Sequence, residues 1–308
     1  MKKETAVRLF RICRRADGCI LRKGRFSMNK KVLALLSAGA LMTAMLAGCG
    51  NGGNNTPSST PSTDENTGDT SFTTIEEGKL IMSTNAQFPP YELVSDGEGY
   101  QGTGYEGIDV EIAYALAEKL GLELVIDDMD FDGALLAVQN GRSDIVMAGV
   151  TVNEERLVNM DFTDSYANGV QVVIVPEDSD IQSIEDLEGK QIGCQRGTTG
   201  FIYCSDTPEN GGYGEGALTA YDDGATAVQA LLNGQIDCVV IDNAPAQEYV
   251  NANPGLKILD TEFANEDYAI GVAKGNTALR DALNVALDEL EADGTIQGII
   301  DKYIPAEG

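Results

Sequence analysis

An α/β fold made of two similar halves that face each other across a cleft is the architecture the sequence predicts, and three observations point to it. From Lys79 onward, short apolar runs alternate with segments of helical period, the pattern of a largely parallel sheet with helices packed on it. Ala134-Leu135-Leu136-Ala137-Val138-Gln139-Asn140-Gly141-Arg142-Ser143-Asp144 is echoed by Ala227-Val228-Gln229-Ala230-Leu231-Leu232-Asn233-Gly234-Gln235-Ile236-Asp237. Each copy reads as a helix, an Asn-Gly stop suited to a left-handed turn, and a strand opened by Asp. Five residues past that Asp, the first copy reaches Gly149 and the second reaches Asp242. Ligands gather at the carboxyl ends of strands in such sheets, so the two copies supply two edges of one cleft.

At the amino end, Met28-Asn29-Lys30-Lys31 precedes an apolar stretch over residues 32–46 and then Ala47-Gly48-Cys49, which reads as a secretory signal. About 15 apolar residues fall short of the ~20 needed to span a bilayer. Leu46-Ala47-Gly48-Cys49 resembles the bacterial lipobox, in which the cysteine takes the lipid and becomes the mature amino terminus. Residues 1–48 are therefore expected to be a signal region with Met28 as the true start, and Cys49 the lipidation site. Residues 49–73 carry Gly, Asn, Ser, Thr and Pro with almost no large apolar side chain, the composition of a flexible tether. Its root-mean-square reach is roughly 25 Å.

The 308 residues include no His, which excludes Ser-His-Asp hydrolysis and His-based zinc sites. Residues 1–48 hold 11 basic and 2 acidic residues, leaving 10 basic against 47 acidic after them, a net −37. So acidic a surface repels phosphate backbones and anionic headgroups, so no nucleic-acid partner is expected, and membrane contact only through the lipid.

In the first half the strands are expected at residues 80–83, 122–126 and 144–148. The helix over residues 107–120 turns Ile108, Ile112, Ala113, Leu116 and Leu120 to one face. Asp109 and Glu111 sit in its first turn and read as charges complementing the helix dipole. The second half has strands at 191–194, 218–221 and 237–241. Cys238 lies in an apolar run and reads as a buried small hydrophobe, whereas Cys194 and Cys204 are free to bridge or not.

Several groups converge on the expected cleft. Arg156 follows the strand that leads to Gly149 and Thr151, and its guanidinium suits a carboxylate, the alternative being a surface ion pair. Gly197-Thr198-Thr199-Gly200 offers backbone N–H groups to an anion but lacks the Lys-Ser/Thr ending of a phosphate loop. Asp242 ends an apolar run and calls for a cation or, alternatively, starts a helix at Asn243-Ala244-Pro245. Phe88 and Phe131, in loops just past strands, either complete the core or form a sandwich for an aliphatic chain.

Gly107-Ile108-Asp109-Val110-Glu111-Ile112 with Leu116-Ala117 and Leu120 resembles the signature of the polar amino-acid binding proteins of ABC importers, extracellular solute-binding family 3. The resemblance covers about residues 75–305. It implies a two-lobed, type II periplasmic-binding-protein-like fold with the ligand between the lobes. Lobe 1 would comprise residues 74–165 and 269–305, lobe 2 residues 171–265, and the hinge residues 166–170 and 266–268. It also implies that Phe88 and Phe131 sandwich the ligand. Thr151, Arg156 and the Thr198 and Thr199 amides would hold the α-carboxylate, and Gly149 and Asp242 the α-ammonium. Asn85 stands where many members carry Asp. With Gln195 opposite, and Arg196 repelling a basic side chain if turned inward, a neutral polar amino acid such as glutamine is expected.

The expected function is that of a monomeric extracellular receptor, without cofactor or metal, that passes a free polar L-amino acid to an ABC importer permease. It would sit lipid-anchored on the outer face of the cell membrane, or on its periplasmic side in a double envelope. An enzyme of the dehydratase type on the same scaffold would need an added general acid. A sensory ligand-binding domain would need a membrane span and an output domain.

Overall fold

The computed structural model describes residues 72–305. The signal region, Cys49 and the tether up to residue 71 lie outside the described residues. The chain runs β1 (Lys79–Thr84), β2 (Gln87–Phe88), β3 (Glu92–Val94), β4 (Tyr105–Glu106), α1 (Ile108–Leu120), β5 (Glu123–Asp128), α2 (Phe131–Gln139), β6 (Ile145–Val146), α3 (Glu154–Asn159) and β7 (Met160–Pro176). There follow β8 (Ile192–Gln195), α4 (Thr199–Ser205), β9 (Leu218–Tyr221), α5 (Gly224–Leu232), β10 (Cys238–Asp242), α6 (Asn243–Ala252) and β11 (Leu256–Ile258). The long strand β12 (Ala264–Ala273), α7 (Thr277–Ala292) and α8 (Thr295–Tyr303) complete it.

The main sheet is mixed rather than largely parallel. Its order is β5-β1-β6-β12-β7-β10-β8-β9, with β11 also paired to β7. The outer strands are parallel as expected, β1 to β5 and β6 on one side and β8 to β9 and β10 on the other. Between them β7 and β12 pair antiparallel and sew the two halves into one sheet. Such long antiparallel strands were not legible because polar residues Asp164, Ser165, Asn168 and Glu266 interrupt their apolar pattern.

The internal echo has a physical basis at both ends of each copy. Asp130 caps α2 by accepting Gly133 N–H at 2.8 Å, and Asp223 caps α5 by accepting Thr226 N–H at 2.6 Å. Each helix stops at Asn-Gly with Gly141 and Gly234 left-handed, at φ 66° and 68°. Asp144 then accepts Ile81 N–H at 2.8 Å, and Asp237 accepts Gln191 N–H at 2.7 Å. Each Asp thus fastens the start of a neighbouring strand, β1 or β8, so that the carboxyl ends of both parallel sets emerge at the cleft.

The α1 face predicted from its spacing is buried, with Ile108, Ile112, Ala113 and Leu116 fully enclosed. Burying each large aliphatic side chain stabilises the fold by about 1.5–3 kcal/mol. Asp109 and Glu111 are more than dipole charges. Glu111 accepts from Lys302 and Tyr303 and ties α8 to α1, and Asp109 is fully buried. Cys194, Cys204 and Cys238 are buried free thiols.

Candidate functional site

One cavity is lined by Asn85, Phe88, Phe131, Gly149, Thr151, Arg156, Gln195, Thr198, Thr199 and Asp242, together with Glu92 and Ala148. All ten residues singled out from the sequence therefore meet in one place, though not all on the expected elements. Asn85 follows β1, Gln195 ends β8, Asp242 ends β10, and Thr198 caps α4. Phe88 lies in a strand, β2, and Phe131 is the first residue of α2, because Asp130 directly before it caps the helix by accepting the Gly133 N–H. Arg156 sits on α3, whose cap Asn153 accepts the Arg156 N–H at 2.8 Å.

Two ionisable groups without an ion-pair partner among the described residues stand on this cavity. Arg156 is 7% exposed and forms no ion pair among the described residues. Its Nη1 donates to Thr151 O at 2.8 Å and its Nη2 to Gly197 O at 3.1 Å, and its guanidinium lies 5.3 Å from the Phe131 ring centre. Burial lowers its pKa, opposed in part by the nearby Glu266. Asp242, also 7% exposed, accepts Gln171 Nε2–H at 2.7 Å on Oδ2, while Oδ1 has no donor among the described residues. It occupies the position before α6 but makes no capping bond, so its role as a helix start is not realised in the side chain. Burial, and next the nearby Glu266, push its carboxyl well above the usual range.

Three contacts cross the cleft and hold it closed. Gln195 Nε2 donates to Asn85 Oδ1 at 2.9 Å, Arg156 reaches Gly197 O, and Tyr249 Oη donates to Gln87 O at 3.2 Å. Asn85 also donates to Met129 O at 2.9 Å. Arg196 points away, exposed and 4.0 Å from Asp222, so it exerts no direct repulsion on a basic ligand.

The sequence pattern of the bacterial extracellular solute-binding proteins, family 3, matches residues 80–306. The chain belongs to that family. Among family relatives, it is 32% identical over 233 residues to the arginine-binding extracellular protein ArtP of Bacillus subtilis, covering 74% of this chain and 87% of that one. An ancestral arginine-binding protein bound to glutamine superposes with a TM-score of 0.67 at 38% identity, covering 74% of this chain and 99% of that one. An ancestral arginine-binding protein bound to arginine likewise gives 0.67 and 38%, covering 74% of this chain and 98% of that one. The fold is thus the two-lobed periplasmic-binding-protein fold, and this family-3 chain is a solute-binding protein of the extracellular side.

Three buried polar residues of this family-3 site escaped sequence reading. Gln171 on β7 bridges Asp242 and Glu266, donating to Glu266 Oε2 at 3.0 Å, and Thr151 Oγ1 donates to the same oxygen at 3.0 Å. Gln171 stands directly before the apolar run 172–175, as Asp242 stands directly after the run 238–241, so its place beside an apolar run marks it in the sequence. Glu266 and Glu92 carried no such signal, since strand register alone brings them inward.

Proposed function

We propose that the protein captures a free polar L-amino acid between its lobes and hands it to the permease of an ABC importer. One observation carries this reading: among the described residues, Arg156 without an ion pair and Asp242 Oδ1 without a donor stand on the same cavity. An amino-acid zwitterion answers both. In this reading Arg156, Thr151, Thr198 and Thr199 take the α-carboxylate, Asp242 and the Gly149 carbonyl take the α-ammonium, and Phe88 and Phe131 flank the side chain. The amide pair Asn85 and Gln195 meets its polar end. ABC-importer relatives that bind arginine or glutamine support the substrate class.

Opening and closing pivot where β7 and β12 cross between lobe 1, residues 74–165 and 269–305, and lobe 2, residues 171–265. The register shifts beside Tyr268 and Ala269, with Tyr166 left out of the ladder, support a hinge at 166–170 and 266–268. The receptor acts as a monomer.

A thermal-shift screen of the twenty amino acids tests the reading. A ligand at about 100 times its Kd adds about 2.7 kcal/mol, roughly 5–10 °C for a domain of this size. No shift with any amino acid would sink the proposal. In the same screen Asn85→Asp is expected to move the preference between arginine and glutamine toward arginine by at least tenfold, about 1.4 kcal/mol, because a carboxylate gains from a cation and suffers beside an uncharged group. An unchanged ratio would remove Asn85 from side-chain recognition.

The Leu46-Ala47-Gly48-Cys49 segment supports anchoring through a lipid on Cys49. Metabolic labelling with a fatty acid is expected to mark the wild-type protein and leave Cys49→Ala unlabelled. Equal labelling of both would exclude this anchor.

A further inference from the structure

We propose that Glu92 and Asp109 form a buried acid pair holding one proton, in which neutral Glu92 donates to Asp109 and the Asp109 carboxylate positions Gly149 at the cavity and Tyr166 at the strand crossing. Asp109, in the first turn of α1, is fully buried. Its Oδ2 accepts Gly149 N–H at 3.0 Å, and its Oδ1 accepts the Tyr166 hydroxyl at 2.8 Å. Gly149 lines the cavity, and Tyr166 is the residue left between the pairs Tyr268 with Ala167 and Ala269 with Ser165. One carboxylate therefore ties the ligand cavity to the place where β7 and β12 change register.

Glu92 is equally buried, faces Phe88 across the β2–β3 ladder, and receives no hydrogen on either oxygen from the described residues. The group within its hydrogen-bonding reach is the Asp109 carboxyl. Two carboxylates have no hydrogen between them, so that contact exists only when one is protonated. Asp109 already accepts two donors that favour its charged form, which leaves the proton on Glu92. The other titratable groups facing Glu92 are Tyr91 beside β3, Asp128 on β5, Tyr166 on β7, Asp242 on β10 and Tyr249 on α6. None is a cation that would stabilise a second negative charge. Burial is the largest cause raising both carboxyls, Asp109 to about 6 and Glu92 well above its ordinary range.

The pair leaves a signature in pH. An unfolded Glu92 loses its proton near 4.5, while the folded one keeps it. Stability tied to this proton is fully present below that pH and is lost as pH rises toward the folded value. The Asp109 share is lost between 3.8 and about 6. Above about pH 6.5 the Glu92 proton is thus isolated from that of Asp109.

Urea unfolding of the unliganded full chain and of Glu92→Gln, from about pH 6.5 to 8.5, tests the proposal. Glutamine keeps an N–H donor toward Asp109 and has no proton to lose. The unfolding constant of the wild type is expected to rise relative to Glu92→Gln as pH rises across this window, by no more than about tenfold per pH unit. Parallel profiles would overturn the assignment. Should the variant fail to fold, carbon-13 NMR of wild-type protein labelled in its glutamate carboxyls decides the matter. A neutral glutamic acid resonance at pH 7 is expected, and a spectrum of ionised carboxylates alone would refute the pair.

Discussion

Arg156→Ala is expected to abolish amino-acid binding in the micromolar range. The guanidinium is buried, two of its N–H groups go to the carbonyls of Thr151 and Gly197, and no described carboxylate pairs with it. Its remaining donors and its charge are available to the ligand carboxylate, which would otherwise enter a low-dielectric cavity without a counter-charge. Leaving one member of such a pair alone typically costs about 2–5 kcal/mol or more, roughly 30-fold to several thousand-fold in Kd. The substitution also breaks a bond that crosses the cleft and removes the stack on Phe131, so closure weakens as well. Calorimetric titration with the amino acid that gives the largest thermal shift is the measurement, and thermal unfolding of the unliganded variant is the check on its fold. Near-normal affinity in a folded variant would exclude Arg156 from the site. Arg156→Lys is expected to restore only part of the loss, because an ammonium cannot present two parallel donors.

Asp242→Asn is expected to separate stability from binding. The carboxyl is buried at the end of β10, with Glu266 nearby and with Gln171 its single side-chain donor. Its pKa is raised by burial first and by Glu266 second, so the native state holds a proton that the unfolded chain releases above about 3.8. The stability tied to that proton is present below this pH and is lost as pH rises toward the folded value. The unliganded Asn variant is therefore expected to be more stable than the wild type at neutral pH, by a margin that grows with pH. Its ligand affinity is expected to fall by about 2–5 kcal/mol, because the α-ammonium loses its charged partner. Urea unfolding at about pH 5 and pH 8 reads the first effect and calorimetry the second. An Asn variant that binds as tightly as the wild type would place the ammonium elsewhere.

Much of this protein was decided by local sequence. The α/β class, the repeated helix, Asn-Gly and Asp unit, and the strand ends carrying Asn85, Gly149, Gln195 and Asp242 all follow from hydrophobic period and turn chemistry acting over about a dozen residues. Because α/β sheets gather functional groups at strand ends, ten candidates named from strand-end position together with the family resemblance line one cavity. Tertiary structure decided what no local pattern encodes. The antiparallel pairing of β7 and β12, the turning inward of Glu92 and Glu266, and the outward turn of Arg196 depend on register between segments up to about a hundred residues apart. A shift of one residue in that register exchanges the two faces of a strand, so whether a glutamate is solvated or buried is set by its partner strand and not by its neighbours in sequence. The same holds for Asp109. In sequence it is a carboxylate in the first turn of a helix, and only the packing of α1 beneath Gly149 and Tyr166 makes it a buried acceptor shared by the cavity and the strand crossing.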